Sequence, residues 1–212
     1  MGQKVNAHLV RLGNMFNWDS RWFDDQRYKE MLLQDYTLRK ALMDRLKSAG
    51  VARIEIERSI NTLKIYAFVS RPGIVIGRAG TGLEELKKFI MAMLPKGKSA
   101  PKVDIRIEPV KEANLDAYLV GRNIADQLIK RLPYKRVLNQ TADKVISSGA
   151  KGVRIVISGR VAGAEISRRE KIQRGTVPLS TLRAQIHFAS VPALTKKGYI
   201  GVKVWIHVPE EK

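Results

Sequence analysis

The stretch of this 212-residue chain best suited to hold an anion is Arg71-Pro72-Gly73-Ile74-Val75-Ile76-Gly77-Arg78-Ala79-Gly80, followed at once by Thr81-Gly82-Leu83-Glu84-Glu85-Leu86-Lys87-Lys88. Three branched apolar residues run into Gly77, Gly80 follows, and the pattern then turns amphipathic, which predicts a turn between two helices. Lacking Cβ atoms, Gly77 and Gly80 let the backbone turn tightly and let a ligand's own backbone come close. A helix starting near Thr81 directs its unpaired N–H groups and its positive dipole end at the same spot, and Arg78 adds a full charge. Any tight connection also needs two such glycines, so the loop alone decides nothing.

Two further groups of cations have the spacing for phosphate chemistry. Lys130, Arg131, Lys135 and Arg136 surround Pro133 at a helix-to-helix corner with no acid among them. Like charges so crowded repel, and phosphates placed opposite them offset that cost, although Lys and Arg also suit an ordinary solvated helix end. From Ile166 to Arg183 come Arg168, Arg169, Lys171, Arg174 and Arg183 against the single acid Glu170. On a strand Arg169, Lys171 and Gln173 share one face, while Arg168 shares the other with Glu170. The planar fork of arginine holds a phosphate with two hydrogen bonds, and a solvated strand face is the alternative.

Other chemistries find little support. His8, His187 and His207 are the only histidines, and the last two sit in apolar alternating stretches where a structural imidazole is expected. No metalloprotease, EF-hand, P-loop or nucleophile-elbow motif is present, and Asp104, Glu108, Asp116 and Asp126 are spread over separate elements. No catalytic residue, metal or cofactor is expected. A lyase using a lysine amine would leave no motif, and borohydride trapping of a DNA adduct would reveal it.

Composition sets the class of partner. Lys and Arg number 39 against 20 acids, a formal charge of +19 that calls for a polyanion, either nucleic acid or an anionic membrane surface. The longest apolar runs, such as Phe89-Ile90-Met91-Ala92-Met93-Leu94, are far too short to span a bilayer. The opening Met1-Gly2-Gln3-Lys4-Val5-Asn6 has no apolar signal core, and Asn6 stands where myristoylation needs Ser or Thr, so a soluble, unprocessed protein is expected. The absence of cysteine excludes disulfides, thiolate zinc sites and cysteine nucleophiles, and fits a reducing cytosol.

The elements that position these residues follow from periodicity. Residues 1–34 read as an arm with at most a short helix, in which Trp18, Trp22 and Phe23 either stack on bases or anchor the arm. Leu38, Ala41, Leu42, Leu46 and Ala49 mark a helix stopped by Gly50; Ala52, Ile54 and Ile56 then alternate as one strand, and Leu63, Ile65, Ala67 and Val69 as its hairpin partner across a turn at Ser59-Ile60-Asn61. The glycine loop and a helix through Leu83, Leu86, Ile90, Met93 and Leu94 come next. After a break at Gly97 to Pro101, Val103, Ile105 and Ile107 form another strand. This succession over 35–110, helix, strand, strand, short helix, glycine loop, helix, strand, resembles a type II KH domain, whose GXXG loop clamps nucleotide backbone; here the clamp would be Gly77, Arg78, Ala79 and Gly80.

Pro109 to Asn114 reads as a junction, and 111–212 as a second α+β domain: helices through Leu115 to Leu132 and Leu138 to Val145, then strands at Val153 to Ile157, Ala164 to Gln173, Ser180 to Phe188 and Tyr199 to Val208. Two helices would lie over a four-stranded antiparallel sheet.

Specific motifs in this second half narrow the family. They are Ser148-Gly149-Ala150-Lys151-Gly152-Val153, Ser158-Gly159-Arg160-Val161-Ala162-Gly163-Ala164-Glu165-Ile166, Gly175-Thr176-Val177-Pro178-Leu179-Ser180-Thr181-Leu182-Arg183-Ala184 and Tyr199-Ile200-Gly201-Val202-Lys203-Val204-Trp205-Ile206. With Met1-Gly2-Gln3-Lys4-Val5 and the Pro72 to Gly80 loop, they resemble small-subunit ribosomal protein three of the bacterial and organellar type over nearly the whole chain. The resemblance implies a structural protein in the head of the small subunit, in the cytoplasm or an organelle, beside small-subunit proteins ten and fourteen. It implies ribosomal RNA contacts at Lys4, Arg11, Arg160, Arg168, Arg169, Lys171, Arg174 and Arg183. It also implies a messenger channel, shared with proteins four and five, that Lys130, Arg131, Lys135 and Arg136 line and where they help open messenger duplexes. The alternative is a free KH-type regulator of single-stranded RNA. Two departures stand out: Arg78-Ala79 where the family often has two basic residues, which implies a weaker phosphate grip, and Glu210-Glu211-Lys212 where many members carry a basic tail.

Overall fold

The computed structural model describes residues 4–59, 61–94 and 102–209. Four features named above, the opening tripeptide, Ile60 of the hairpin turn, the Gly97 to Pro101 break and the closing Glu210-Glu211-Lys212, lie outside the described residues. The chain divides into two units: residues up to Asn17 together with those from Glu112 onward, and Trp18–Lys111.

The Trp18–Lys111 unit follows the element order expected of a type II KH domain. Helix α1 (Tyr28–Arg45) precedes β2 (Val51–Arg58) and β3 (Thr62–Val69); then come α2 (Pro72–Ile76), the glycine loop, α3 (Thr81–Met93) and β4 (Lys102–Pro109). A two-residue strand, β1 (Ser20–Arg21), adds to the edge, giving the order β1-β2-β3-β4. β2 and β3 pair antiparallel, β3 and β4 parallel with Ile65 opposite Ile105. Alternation puts Ile54, Ile56, Leu63, Ile65 and Val69 on one face, where Leu38 and Leu42 of α1 and Leu86 and Ile90 of α3 bury them. α1 starts ten residues before the expected Leu38, because Tyr28, Leu32, Leu33 and Tyr36 stay exposed and leave no apolar period to read. In that first half Asp35 is buried, paired with Arg58 and accepting a 2.7 Å hydrogen bond from Trp22 Nε1.

The second unit is two helices on a four-stranded antiparallel sheet, as expected. α4 (Ala117–Ile129) and α5 (Tyr134–Ser147) are followed by β5 (Gly152–Gly159), β6 (Arg168–Gly175), β7 (Ile186–Thr195) and β8 (Gly198–His207), in the order β6-β5-β8-β7. Asp116 caps α4 by accepting from Leu119 N at 2.9 Å. Ile155, Ile157, Val202, Val204 and Ile206 meet Ile124, Leu128, Leu138 and Val145 in the main core. The opposite sheet face carries a smaller cluster of Val156, Ile186 and Trp205, joined by Ala7 from the start of the chain. Of the described residues in the expected arm, those up to Asn17 group with this unit and those from Trp18 with the other.

Two strands lie later than the sequence suggested. The expected Ser180 to Phe188 strand begins only at Ile186, and the expected Ala164 to Gln173 strand at Arg168. Before Ile186 the backbone carbonyls of Pro178, Leu179, Thr181 and Ala184 accept hydrogen bonds from the Arg11 guanidinium, so this segment meets its polar demands without a strand partner. Before Arg168, residues Val161–Gly163 make a short 3-10 turn with Ala162 at φ 57°.

Candidate nucleic-acid interface

The glycine loop is a turn between α2 and α3. Gly77 takes φ 70°, Gly80 φ 80°, and no side chain caps the first-turn N–H groups of α3. A Cβ on Gly82, which sequence reading left without a role, would sit 2.3 Å from Val75 O and 3.1 Å from Ile76 O. The first turn of α3 is thus held directly against the last turn of α2. Arg78 is exposed and makes no ion pair among the described residues, so a full charge stands at the N-terminal end of α3, where the Thr81 N–H is already bonded to Arg78 O and no side chain caps the helix.

At the α4 to α5 corner Lys130, Arg131, Lys135 and Arg136 are all exposed, and none makes an ion pair among the described residues. Arg131 ends α4 in the left-handed region at φ 61°, its N–H bonding Leu128 O at 3.0 Å while Leu132 N bonds Gln127 O at 3.2 Å. Glycine usually fills this position, because a Cβ there costs on the order of 1 kcal/mol. The turn redirects the chain at once into α5, bringing the pairs from both helices to one corner.

The third group lies on the sheet face away from the helices. Register sets Lys171 of β6 opposite Val156 of β5, itself opposite Lys203 of β8; Ser158 faces Arg169, and Arg154 faces Trp205. Lys4 lies 5.4 Å and Arg154 5.3 Å from the Trp205 ring centroid, both within cation–π range, and the buried Nε of Arg154 has no acceptor among the described residues. Burial first, and then the charges of Arg154, Arg169, Lys171 and Lys203, pull the Lys4 pKa below its usual value. Five cations thus share one face with no acid paired to any of them among the described residues. Arg154 and Lys203 were missed as site residues. Each is the polar member of an alternating strand, which looks like an ordinary solvated position until strand pairing places it beside the others.

Arg11, expected to contact ribosomal RNA, is corrected. It is fully buried, and its guanidinium donates to the carbonyls of Ala7, Pro178, Leu179, Thr181 and Ala184 at 2.7 to 3.3 Å. Buried to this extent, with Nε, Nη1 and Nη2 each donating to backbone carbonyls, it presents no surface to a phosphate. Arg168 and Arg183 are exposed; Arg174 is engaged by Asp143 at 2.9 Å, and Arg160 is half-buried with Nε on Ala164 O. Of the aromatics, Trp22 anchors the chain through Asp35 and a ring contact with Tyr28, whereas Phe23 is 87 % exposed. Among the described residues no group of three or more His, Asp or Glu is placed to hold a metal ion, and no helix is long and apolar enough to cross a membrane.

A KH unit whose glycine turn carries an exposed Arg78, followed in the chain by an α+β unit with two groups of cations that no acid pairs among the described residues, defines a two-unit RNA-binding protein. Comparison with known proteins agrees on both halves: residues 37–115 match the KH domain family, and 124–206 match the family described as ribosomal protein S3, C-terminal domain. Small ribosomal subunit protein uS3 of Desulfitobacterium hafniense is 44% identical, covering 99% of this chain and 94% of that protein. The uS3 of Clostridioides difficile is 45% identical over 97% of this chain and 75% of its own length, and that of Carboxydothermus hydrogenoformans 43% over 99% and 93%. The chain belongs to the uS3 family of small ribosomal subunit proteins. That family is made of structural proteins of the particle and not of enzymes.

Proposed function

We propose that the carboxyl-terminal unit docks on ribosomal RNA in the head of the small subunit while its α4 to α5 corner faces the path of the messenger. The observation that carries this reading is the corner itself: Lys130, Arg131, Lys135 and Arg136 are exposed and unpaired among the described residues, and they are gathered by a left-handed Arg131. Cations beside a fork favour separated, phosphate-bound strands over a closed duplex, so the corner assists the opening of messenger hairpins. Ribosomal RNA is held by Lys4, Arg169 and Lys171, joined by Arg154 and Lys203, and by Arg160, Arg168, Arg174 and Arg183 around them. The Gly77, Arg78, Ala79 and Gly80 turn adds a phosphate contact from the KH unit. Small-subunit proteins ten and fourteen are neighbours, proteins four and five share the messenger entrance, and the particle is cytoplasmic.

Changing Lys130, Arg131, Lys135 and Arg136 together to Ala tests this. The variant should enter small subunits normally, as followed by co-sedimentation in high salt. It should slow translation through a stable messenger hairpin more than through an unstructured message. Equal slowing on both messages, or exclusion from particles, would instead assign the corner to the RNA scaffold.

A further inference from the structure

The carboxyl-terminal unit contains a cavity of about 550 Å³ whose apolar floor the RNA reading does not use, although Arg131 and Arg160 at its edge belong to the cations proposed for RNA above. One wall is the end of α4 and the start of α5, with Ile129, Leu132, Pro133 and Tyr134; the other comes from the β7–β8 hairpin and the 3-10 turn after β5. The only two non-glycine residues with positive φ among the described residues, Arg131 at 61° and Ala162 at 57°, both line it. Backbone held in a sparsely populated region persists only where the surroundings enforce it, and such residues gather at functional sites. Here the two strained turns shape opposite walls of one cavity.

Its chemistry is apolar inside and cationic outside. Ile129 and Leu132 are each 47% exposed and, with the exposed Leu194 across the cavity, form one apolar patch instead of scattered single side chains. The charged lining residues are Arg131, Arg160, Lys196 and Lys197, without an acid among them. Arg160 is fixed by its Nε bond to Ala164 O, which leaves its terminal nitrogens for an occupant.

We infer that this cavity is a docking site for an acidic protein segment that inserts a large apolar side chain. Charge complementarity selects the acids, since a carboxylate pairs with the fork of Arg131 or Arg160 without needing a proton. The floor selects the anchor. A nucleobase stacks on aromatic or guanidinium planes and needs hydrogen-bonding partners for its edges. Tyr134, Arg131 and Arg160 could stack, but the Tyr134 and Thr195 hydroxyls are the only neutral polar side-chain groups among the described lining residues, whereas Leu128, Ile129, Leu132, Leu194 and Ile200 suit an aliphatic or aromatic anchor. Cavities of roughly 300–1,000 Å³ hold drug-sized groups, so one Leu or Phe side chain with its neighbours is of the right scale. An occupant here would sit against the same α4 to α5 corner, and its acids would lower the local positive potential. Because Arg131 and Arg160 are also proposed for RNA, the occupant and RNA would compete for them, whereas the apolar floor serves the occupant alone.

The test uses the full chain and a fluorescent peptide with a central Leu-Phe pair flanked by Asp and Glu. Its control carries Ser-Ser in place of Leu-Phe at the same charge, and a short oligouridylate serves as the RNA competitor. Binding to the Leu-Phe peptide should exceed that to the Ser-Ser peptide at least tenfold. It should fall at least tenfold in Leu132→Asp and in the separate double variant Lys196→Glu, Lys197→Glu, both of which alter exposed positions and should melt like the parent. Equal binding of the two peptides would reduce the site to a generally basic surface and overturn the inference. So would failure of either peptide to bind, or an oligouridylate whose own affinity falls as steeply in Leu132→Asp, which would make the cavity a nucleotide pocket.

Discussion

At the scale of single residues, two cations near the start of the chain have opposite roles. Arg11 is a scaffold member: five carbonyls depend on one guanidinium, and burial pulls its pKa down from the usual arginine value. Arg11→Met keeps much of the volume but strands those acceptors, and should cost about 2–4 kcal/mol in the carboxyl-terminal unit. Denaturant unfolding would measure the loss, and the RNA affinity of the folded fraction should stay unchanged; intact stability would mean that water replaces the guanidinium. Lys4 is the opposite case, exposed and set among Arg154, Arg169, Lys171 and Lys203. Its folded pKa lies below the ordinary 10.5, so between the two values the unfolded chain holds more protons and stability rises with pH. Phosphate raises that pKa again, so RNA binding takes up a proton and weakens as pH climbs through the same alkaline window. In Lys4→Arg, whose guanidinium stays charged, the alkaline loss of affinity should be shallower by fluorescence anisotropy. Superimposable pH profiles would remove Lys4 from the phosphate contact.

At the scale of elements, the glycine turn separates shape from charge. Gly82 holds α3 against the end of α2, and a methyl group there meets backbone oxygens that cannot rotate away. Gly82→Ala should therefore cost about 1–3 kcal/mol in the KH unit and also weaken crosslinking of the loop to RNA. Arg78→Asp, at an exposed position, should leave the melting of that unit unchanged and weaken the crosslinking alone. If Arg78→Asp crosslinks like the parent in the assembled particle, the turn is structural and not a nucleotide clamp. The α4 to α5 corner uses the reverse device, placing an arginine where glycine is the easier choice, so that strain and charge fall at the same point.

At the scale of the whole molecule, the surplus of +19 is carried by several separate surfaces over two units. If the isolated protein neutralises on the order of eight phosphates, log affinity for RNA should fall with log salt at a slope of roughly six to seven. A titration giving a slope near one or two would show that only a single group, such as the glycine turn, is engaged. Net charge also depends on the partner: the sheet-face cations repel one another in the free chain, and phosphates arriving between them relieve it.

Element order was legible because periods of 3.6 and 2 survive wherever one face is buried: α3 through Leu86 and Ile90, β3 through Leu63, Ile65 and Val69, β5 through Val153, Ile155 and Ile157. The glycine turn and the α4 to α5 corner were legible because their residues are neighbours in the chain. The first ten residues of α1 were not, since an exposed helix leaves no apolar stripe, nor was the late start of β7, where a buried arginine replaces a strand partner. The sequence alone determined the family, the two α+β halves and the polyanionic partner, because motifs, periodicity and net charge are properties of the chain itself. Only the tertiary structure decided that Arg11 is interior, that Arg154 and Lys203 join Lys4, Arg169 and Lys171, and that two strained turns enclose one cavity. Each of these depends on strand register and on segments far apart in sequence, and no local spacing encodes which distant residues will share a face.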